Sequence, residues 1–199
     1  MKRPAAAVAA LLLLASPLFA ADPDSLVLTA VLARVEQSLR TGNRLPAVVA
    51  DETRGGAGQF ATAWAVKTRG EAAGRELGAA YQSVNVRSYP LPQETTSLPL
   101  ARVRHVEAGG IDWKSLDGIV PRPQSLVVVS RPAFDRLQSV ALVRADVIVR
   151  SEAPRTIFFS VEKQPDGSWK PGLSASGDSS RLHRTAGPVP GHDMSVPVH

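Results

Sequence analysis

Residues 139–151, SVALVRADVIVRS, constrain the fold more than any other stretch. Ala141, Val143, Ala145, Val147 and Val149 are all apolar, and the intervening positions carry Arg144, Asp146 and Arg150 among Val140, Leu142 and Ile148. A period of two with so many β-branched residues specifies a long strand, with one face in a core and the other mixed. After EAP comes RTIFFSVEKQ, which reads as a second strand. PDGS then places Pro, Asp and Gly for a tight turn, and WK re-enters briefly. The result is a meander of about three antiparallel strands. SLVVVSR upstream is a further apolar strand. In LARVRHVEA, Val103 and His105 alternate with Arg102 and Arg104, which predicts another.

The N-terminal half reads differently. In ADPDSLVLTAVLARVEQSLRTGN, Asp22 can cap a helix and Pro23 suits its first position. Leu28, Val31, Leu32, Val35 and Leu39 recur at three- and four-residue spacing, and Gly42 is placed to terminate the helix. Ala47–Ala50 is expected to be a short strand. Phe60, Thr62, Trp64 and Val66 alternate with alanines, which predicts a second one, with DETRGGAG as the hairpin loop between them. GEAAGRELGAAYQSV predicts a short helix despite three glycines, each costing roughly 1 kcal/mol relative to alanine. SYPLPQETTSLPL is an irregular, proline-rich connection, and DWKSLDGIVPRPQ a turn or short helix running into a loop. The class is α+β: a mainly antiparallel sheet with a C-terminal meander, packed by an N-terminal amphipathic helix.

The chain opens MKRPAAAVAALLLLASPLFA: two basic residues, an apolar run, Pro17, and a small-residue site ending at Ala20. This is the layout of a cleaved secretory leader, so residues 1–20 are expected to be removed and the rest to be periplasmic or secreted, with no membrane span. The chain has no cysteine, which leaves a secreted domain to be held by its core alone. The remaining roughly 180 residues suffice for one domain, read as residues 21–172, with residues 173–199 as a disordered tail. Losing Lys2 and Arg3 with the leader takes the formal charge from +5 to +3. That modest charge, with no basic run longer than two, argues against nucleic acid as a partner.

Ser130, Arg131 and Phe134 are followed by Ala141, Leu142 and Val143, and then by Phe158, Phe159, Val161, Glu162, Lys163, Gly167, Trp169 and Lys170. On these residues the tract from about 103 to 170 resembles an uncharacterised group of extracytoplasmic bacterial proteins with the pattern SR-x-x-F, ALV and EK-x-x-G-x-WK. The resemblance covers about a third of the chain and implies a secreted, sheet-containing domain. It supplies no activity. Members often carry cysteines between the two long strands, where this chain has RSEAPRT, so no role that depends on them carries over.

Little catalytic chemistry is visible. GLSAS at Gly172 lacks the final glycine and the strand-to-helix setting of a nucleophile elbow. DETRGGAG lacks the Lys-Ser/Thr of a phosphate-binding loop, and no helix clearly starts at its end. Trp64, Trp113 and Trp169 read as core or edge-covering aromatics. Arg144, Asp146 and Arg150 are the candidate ligand-binding residues, suited to an anionic or sugar ligand; the plainer reading is a solvated ladder with cross-strand partners such as Glu162.

Two functions remain. The first is a non-enzymatic domain that binds an envelope protein or small ligand through a sheet face bearing Arg144. The second is an extracytoplasmic hydrolase in which Asp51, Glu52 and His105 converge. A separate option is copper binding by the tail, whose His183, His192, Met194 and His199 suit that metal outside the cytoplasm. His192 and Met194 are two apart and the other histidines at least seven away, so no compact ligand set appears, and the tail reads as a solvated end.

Overall fold

The computed structural model describes residues 22–96, 100–104 and 111–178. A mixed sheet of seven strands runs β2-β1-β3-β5-β6-β7, with β4 paired to β5. Its strands are β1 (Ala47–Ala50), β2 (Ala101–Val103), β3 (Ser125–Val129), β4 (Ala133–Phe134), β5 (Val140–Val149), β6 (Arg155–Lys163) and β7 (Trp169–Asp178). β1 is parallel to both β2 and β3, while β3, β5, β6 and β7 are successively antiparallel. The expected meander is β5-β6-β7. Its last strand is longer than WK alone and runs six residues past the domain edge placed at 172.

Helix α1 (Pro23–Thr41) begins at the anticipated Asp22-Pro23 and buries Val27, Leu28, Val31, Leu32, Val35 and Leu39. It packs on the face formed by the odd-numbered residues of β5, joined by Val127, Val129, Phe159, Val161 and Trp169. Burying each Val or Leu contributes roughly 1.5–3 kcal/mol, so this stripe, rather than helix propensity, holds α1 in place. The helix ends at Gly42, but the left-handed residue that turns the chain is Asn43, at φ 54°. Arg44 then grips Glu152 through Nε and a terminal nitrogen at 2.8 and 3.0 Å, tying the entry to β1 to the β5–β6 turn.

The opposite face is covered by a helical hairpin, α2 (Gly58–Arg69) and α3 (Glu71–Val84), and by the short α4 (Trp113–Asp117). The strand predicted from Phe60 to Val66 is therefore a helix. Its buried positions are the small ones, Ala61 and Ala65, one turn apart, whereas Phe60 is 40% exposed. The alternation of large residues misleads because this helix is held by close approach and not by bulk. Gly74 and Gly78 of α3 face it, and a Cβ on Gly74 would overlap the Val66 backbone while one on Gly78 would overlap Thr62. The glycines that weaken α3 in isolation are what let the two helices touch. Trp64, Tyr81, Leu142 and Phe158 fill the space between hairpin and sheet, with the Trp64 and Phe158 rings stacked at 5.9 Å. α4 covers Val48, Val103, Leu126 and Val128 farther along the same face.

Candidate functional site

β1 leads into DETRGGAG, which is not a hairpin loop but the connection from a parallel strand to a helix, since α2 starts at Gly58. The loop turns through Gly56 and Ala57, at φ 89° and 63°, and crosses the end of β3, where the Arg54 N–H donates to the Val129 carbonyl at 2.7 Å. Residues 51–56 also pair with 85–91. The Thr53 N–H donates to the Tyr89 carbonyl at 2.7 Å, the Tyr89 N–H to Thr53 Oγ1 at 3.0 Å, and the Gly56 N–H to the Asn85 carbonyl at 2.8 Å. The result is a two-stranded ribbon at the C-terminal ends of β1 and β3, the location at which open sheets with parallel strands bind ligands.

On the α4 side, this ribbon borders a cleft of about 70 Å³ lined by Ala50, Asp51, Glu52, Thr53, Arg54, Ser88, Val128 and Ile148. That is well below the roughly 300–1,000 Å³ of sites that enclose a whole small molecule, and fits one polar group. A wider, open hollow of about 460 Å³ lies on the other face, between the second half of α1 and β6. Val35, Ile157 and Phe159 line it together with Arg34, Gln37 and Ser38, and among the described residues no carboxylate lines it.

Arg144 and Asp146 are not a solvated ladder. Both are buried, at 5% and 8% exposure. Arg144 stands opposite Phe158, not Glu162; Glu162 stands opposite Val140 and pairs with Arg69 of α2. The Arg144 terminal nitrogens donate to the carbonyls of Arg54, Gly55 and Gly56 at 3.2–3.4 Å, and one of them lies 3.2 Å from Asp146 Oδ2. Asp146 accepts from the Thr156 hydroxyl at 2.8 Å and has Arg54 at 3.6 Å. The pair thus supports the loop from beneath. Its burial follows from the α2–α3 hairpin and the loop covering the face that the sequence left half polar.

Arg150 belongs elsewhere. It pairs with Asp117 of α4 at 3.1 Å and its guanidinium lies 5.5 Å from the Trp113 ring centroid. The three candidate residues therefore do not form one patch. Asp51 and Glu52, in contrast, both line the cleft. His105 lies outside the described residues, as do His183, His192, Met194 and His199. The described chain reaches Arg104, one residue past Val103, whose carbonyl accepts from the Asp51 N–H at 3.0 Å. Among the described residues no three His, Asp or Glu gather as a metal site, and no helix is long and apolar enough to cross a membrane.

Sequence reasoning missed Arg54 and Ser88 in the cleft and a cluster on the α1 side of the ribbon. There the Arg87 and Arg131 guanidiniums lie 5.2 and 5.1 Å from the centroid of the Tyr89 ring, and Arg131 Nε donates to Asp24 at 2.8 Å. The Arg87 guanidinium beside Tyr89 holds its phenol below the usual tyrosine range. Burial pushes the Asp24 carboxyl up, and the bond from Arg131 opposes that shift. The alternation of Arg87 and Tyr89 in VRSY was the available signal. Compared with protein-family models, curated proteins and solved structures, the chain matches none.

Proposed function

We propose that the chain is an extracytoplasmic, non-enzymatic binding domain that recognises a polar group of an envelope partner at the cleft rimmed by Glu52, Arg54 and Ser88. The observation that carries this reading is the placement of Arg144. A buried charge is costly unless paired and hydrogen-bonded, and here the two terminal nitrogens, though not Nε, donate to three consecutive carbonyls of the loop that rims the cleft. Support of this kind holds a recognition loop in one geometry before a partner arrives, which lowers the ordering cost of binding. The small volume favours a side chain or headgroup over an enclosed substrate. The leader-like first twenty residues support the compartment, and the resemblance of residues 103–170 to a secreted group agrees with it.

A photo-crosslinking residue at Ser88, with one at exposed Leu137 as control, tests this in the native envelope. A discrete product from position 88 alone, lost on Glu52→Gln or Arg54→Ala, is expected. Equal products from both positions, or none from 88, would overturn the reading.

The hydrolase reading has one observation in its favour, the presence of Asp51 and Glu52 at the same cleft. A structure that places the His105 imidazole more than about 10 Å from both carboxylates would remove it, because proton transfer needs contact or one bridging water.

A further inference from the structure

The cluster on the α1 side of the ribbon is built with the same care as the cleft, yet its side chains point to a different ligand. Arg131 is fixed at its main chain by buried Asn85, which is 3% exposed. Asn85 Oδ1 accepts from the Arg131 N–H at 2.9 Å, and Asn85 Nδ2 donates to the carbonyls of Arg131 and Tyr81 at 3.0 and 3.2 Å. Tyr89 is fixed by its reciprocal pairing with Thr53, 2% exposed. Arg87 is fixed because Gly55 packs directly against its backbone, where an added Cβ would stand 3.2 Å from the Arg87 nitrogen. Three partly or fully exposed side chains are thus carried on main chain that buried groups hold rigid.

Among the described residues, one of the two cations at this place is left without an ion pair. Arg131 has Asp24 as its partner, while Arg87 has no carboxylate partner among the described residues and meets the Tyr89 ring instead. Asp22, the other acid at the start of α1, accepts from Ser25 Oγ at 3.3 Å. We propose that Arg87, Tyr89 and Arg131 form a binding site for a phosphate group, with the two guanidiniums supplying forked N–H donors and the phenol a third. Guanidinium forks match the oxygen geometry of a phosphate, and a tetrahedral dianion accepts from more donors at once than a carboxylate does. The site lies across the ribbon from the cleft, so it does not depend on the cleft reading. Two sources present this chemistry: a free phosphate ester, and the headgroup of an anionic phospholipid.

Two probes separate them. Inorganic phosphate is titrated into the full chain at low ionic strength while the amide and Arg Nε resonances of residues 85–89 and 131 are followed by NMR, with chloride at matched ionic strength as control. In parallel, co-sedimentation is measured with phosphatidylcholine vesicles with and without phosphatidylglycerol. Phosphate binding that falls about tenfold in Arg87→Ala, with Arg87→Lys between the two, supports the site with a free phosphate ester as its ligand. Sedimentation only with the anionic vesicles, lost in the same variant, supports it with a headgroup. Binding in neither experiment, an equal response to chloride, or binding unchanged in Arg87→Ala would overturn it. Because Arg87 is exposed, urea melts of the variant should match the wild type and exclude unfolding as the cause.

Discussion

Arg144 and Asp146 stand two residues apart on β5 and form a 3.2 Å ion pair, with side chains only 6% and 11% exposed. Each also holds something else: Arg144 the carbonyls of the 54–56 loop, Asp146 the Thr156 hydroxyl. Removing one partner leaves a buried charge without compensation, which typically costs about 3–5 kcal/mol. Arg144→Met is therefore expected to lower stability by about 3 kcal/mol in urea melts. The double variant Arg144→Met/Asp146→Leu should be less destabilised than the two single costs added together. Additive costs would show that the two side chains act separately.

Gly74→Ala tests the helical hairpin. Alanine gains about 1 kcal/mol of helix propensity over glycine, but the new Cβ overlaps the Val66 backbone, and overpacking of this kind costs about 1–3 kcal/mol. A backbone cannot rotate away as a side chain can, so the overlap dominates. Thermal melts should show a net loss of about 1 kcal/mol, and a stabilised variant would mean that α2 and α3 lie farther apart.

Asp135 closes the turn between β4 and β5, accepting from the Ser139 N–H at 2.7 Å, the Ser139 hydroxyl at 2.7 Å and the Val140 N–H at 3.0 Å. Burial acts to raise its carboxyl, but these bonds outweigh it and hold the group below the usual aspartate range. A depressed folded-state pKa contributes stability that is present above the unfolded value, near 3.9, and is lost as pH falls through the folded one. Asp135→Asn should cost about 1 kcal/mol at pH 7, and its difference from the wild type should shrink below about pH 4. A gap that stays constant from pH 7 to pH 3 would contradict this.

Copper titrated into the full chain, and into one ending at Asp178, should show the same weak affinity. His192 and Met194 are two apart while His183 and His199 lie at least seven residues from His192, so the sequence offers no compact ligand spacing. A markedly tighter site in the full chain alone would restore the tail as a copper ligand.

Protein recovered from the periplasm or medium should begin at Ala21 on N-terminal sequencing. An intact Met1 on membrane-bound protein would show that the leader is retained as an anchor.

Much of the fold was legible in local patterns. The five odd-numbered apolar residues of β5 all turned inward, and the α1 stripe was buried at each predicted position. α2 was not legible, because its buried residues are alanines, whose small size gives a weak periodic signal beside Phe60 and Trp64. The cleft was half legible. Asp51 and Glu52 stood out as adjacent acids in a glycine-rich loop, but Ser88 enters from a segment 36 residues beyond Glu52, through the pairing of Thr53 with Tyr89.

By itself the sequence determined the alternation of β5, the amphipathic stripe of α1 and the PDGS turn between β6 and β7, since each depends on neighbours within a few residues. Only the tertiary structure decided what covers the mixed face of β5, and hence that Arg144 and Asp146 support a loop instead of meeting solvent. The carbonyls that Arg144 holds lie 88–90 residues earlier in the chain. No local period encodes a contact of that range, because it exists only once two helices and a pinned loop have closed over the strand.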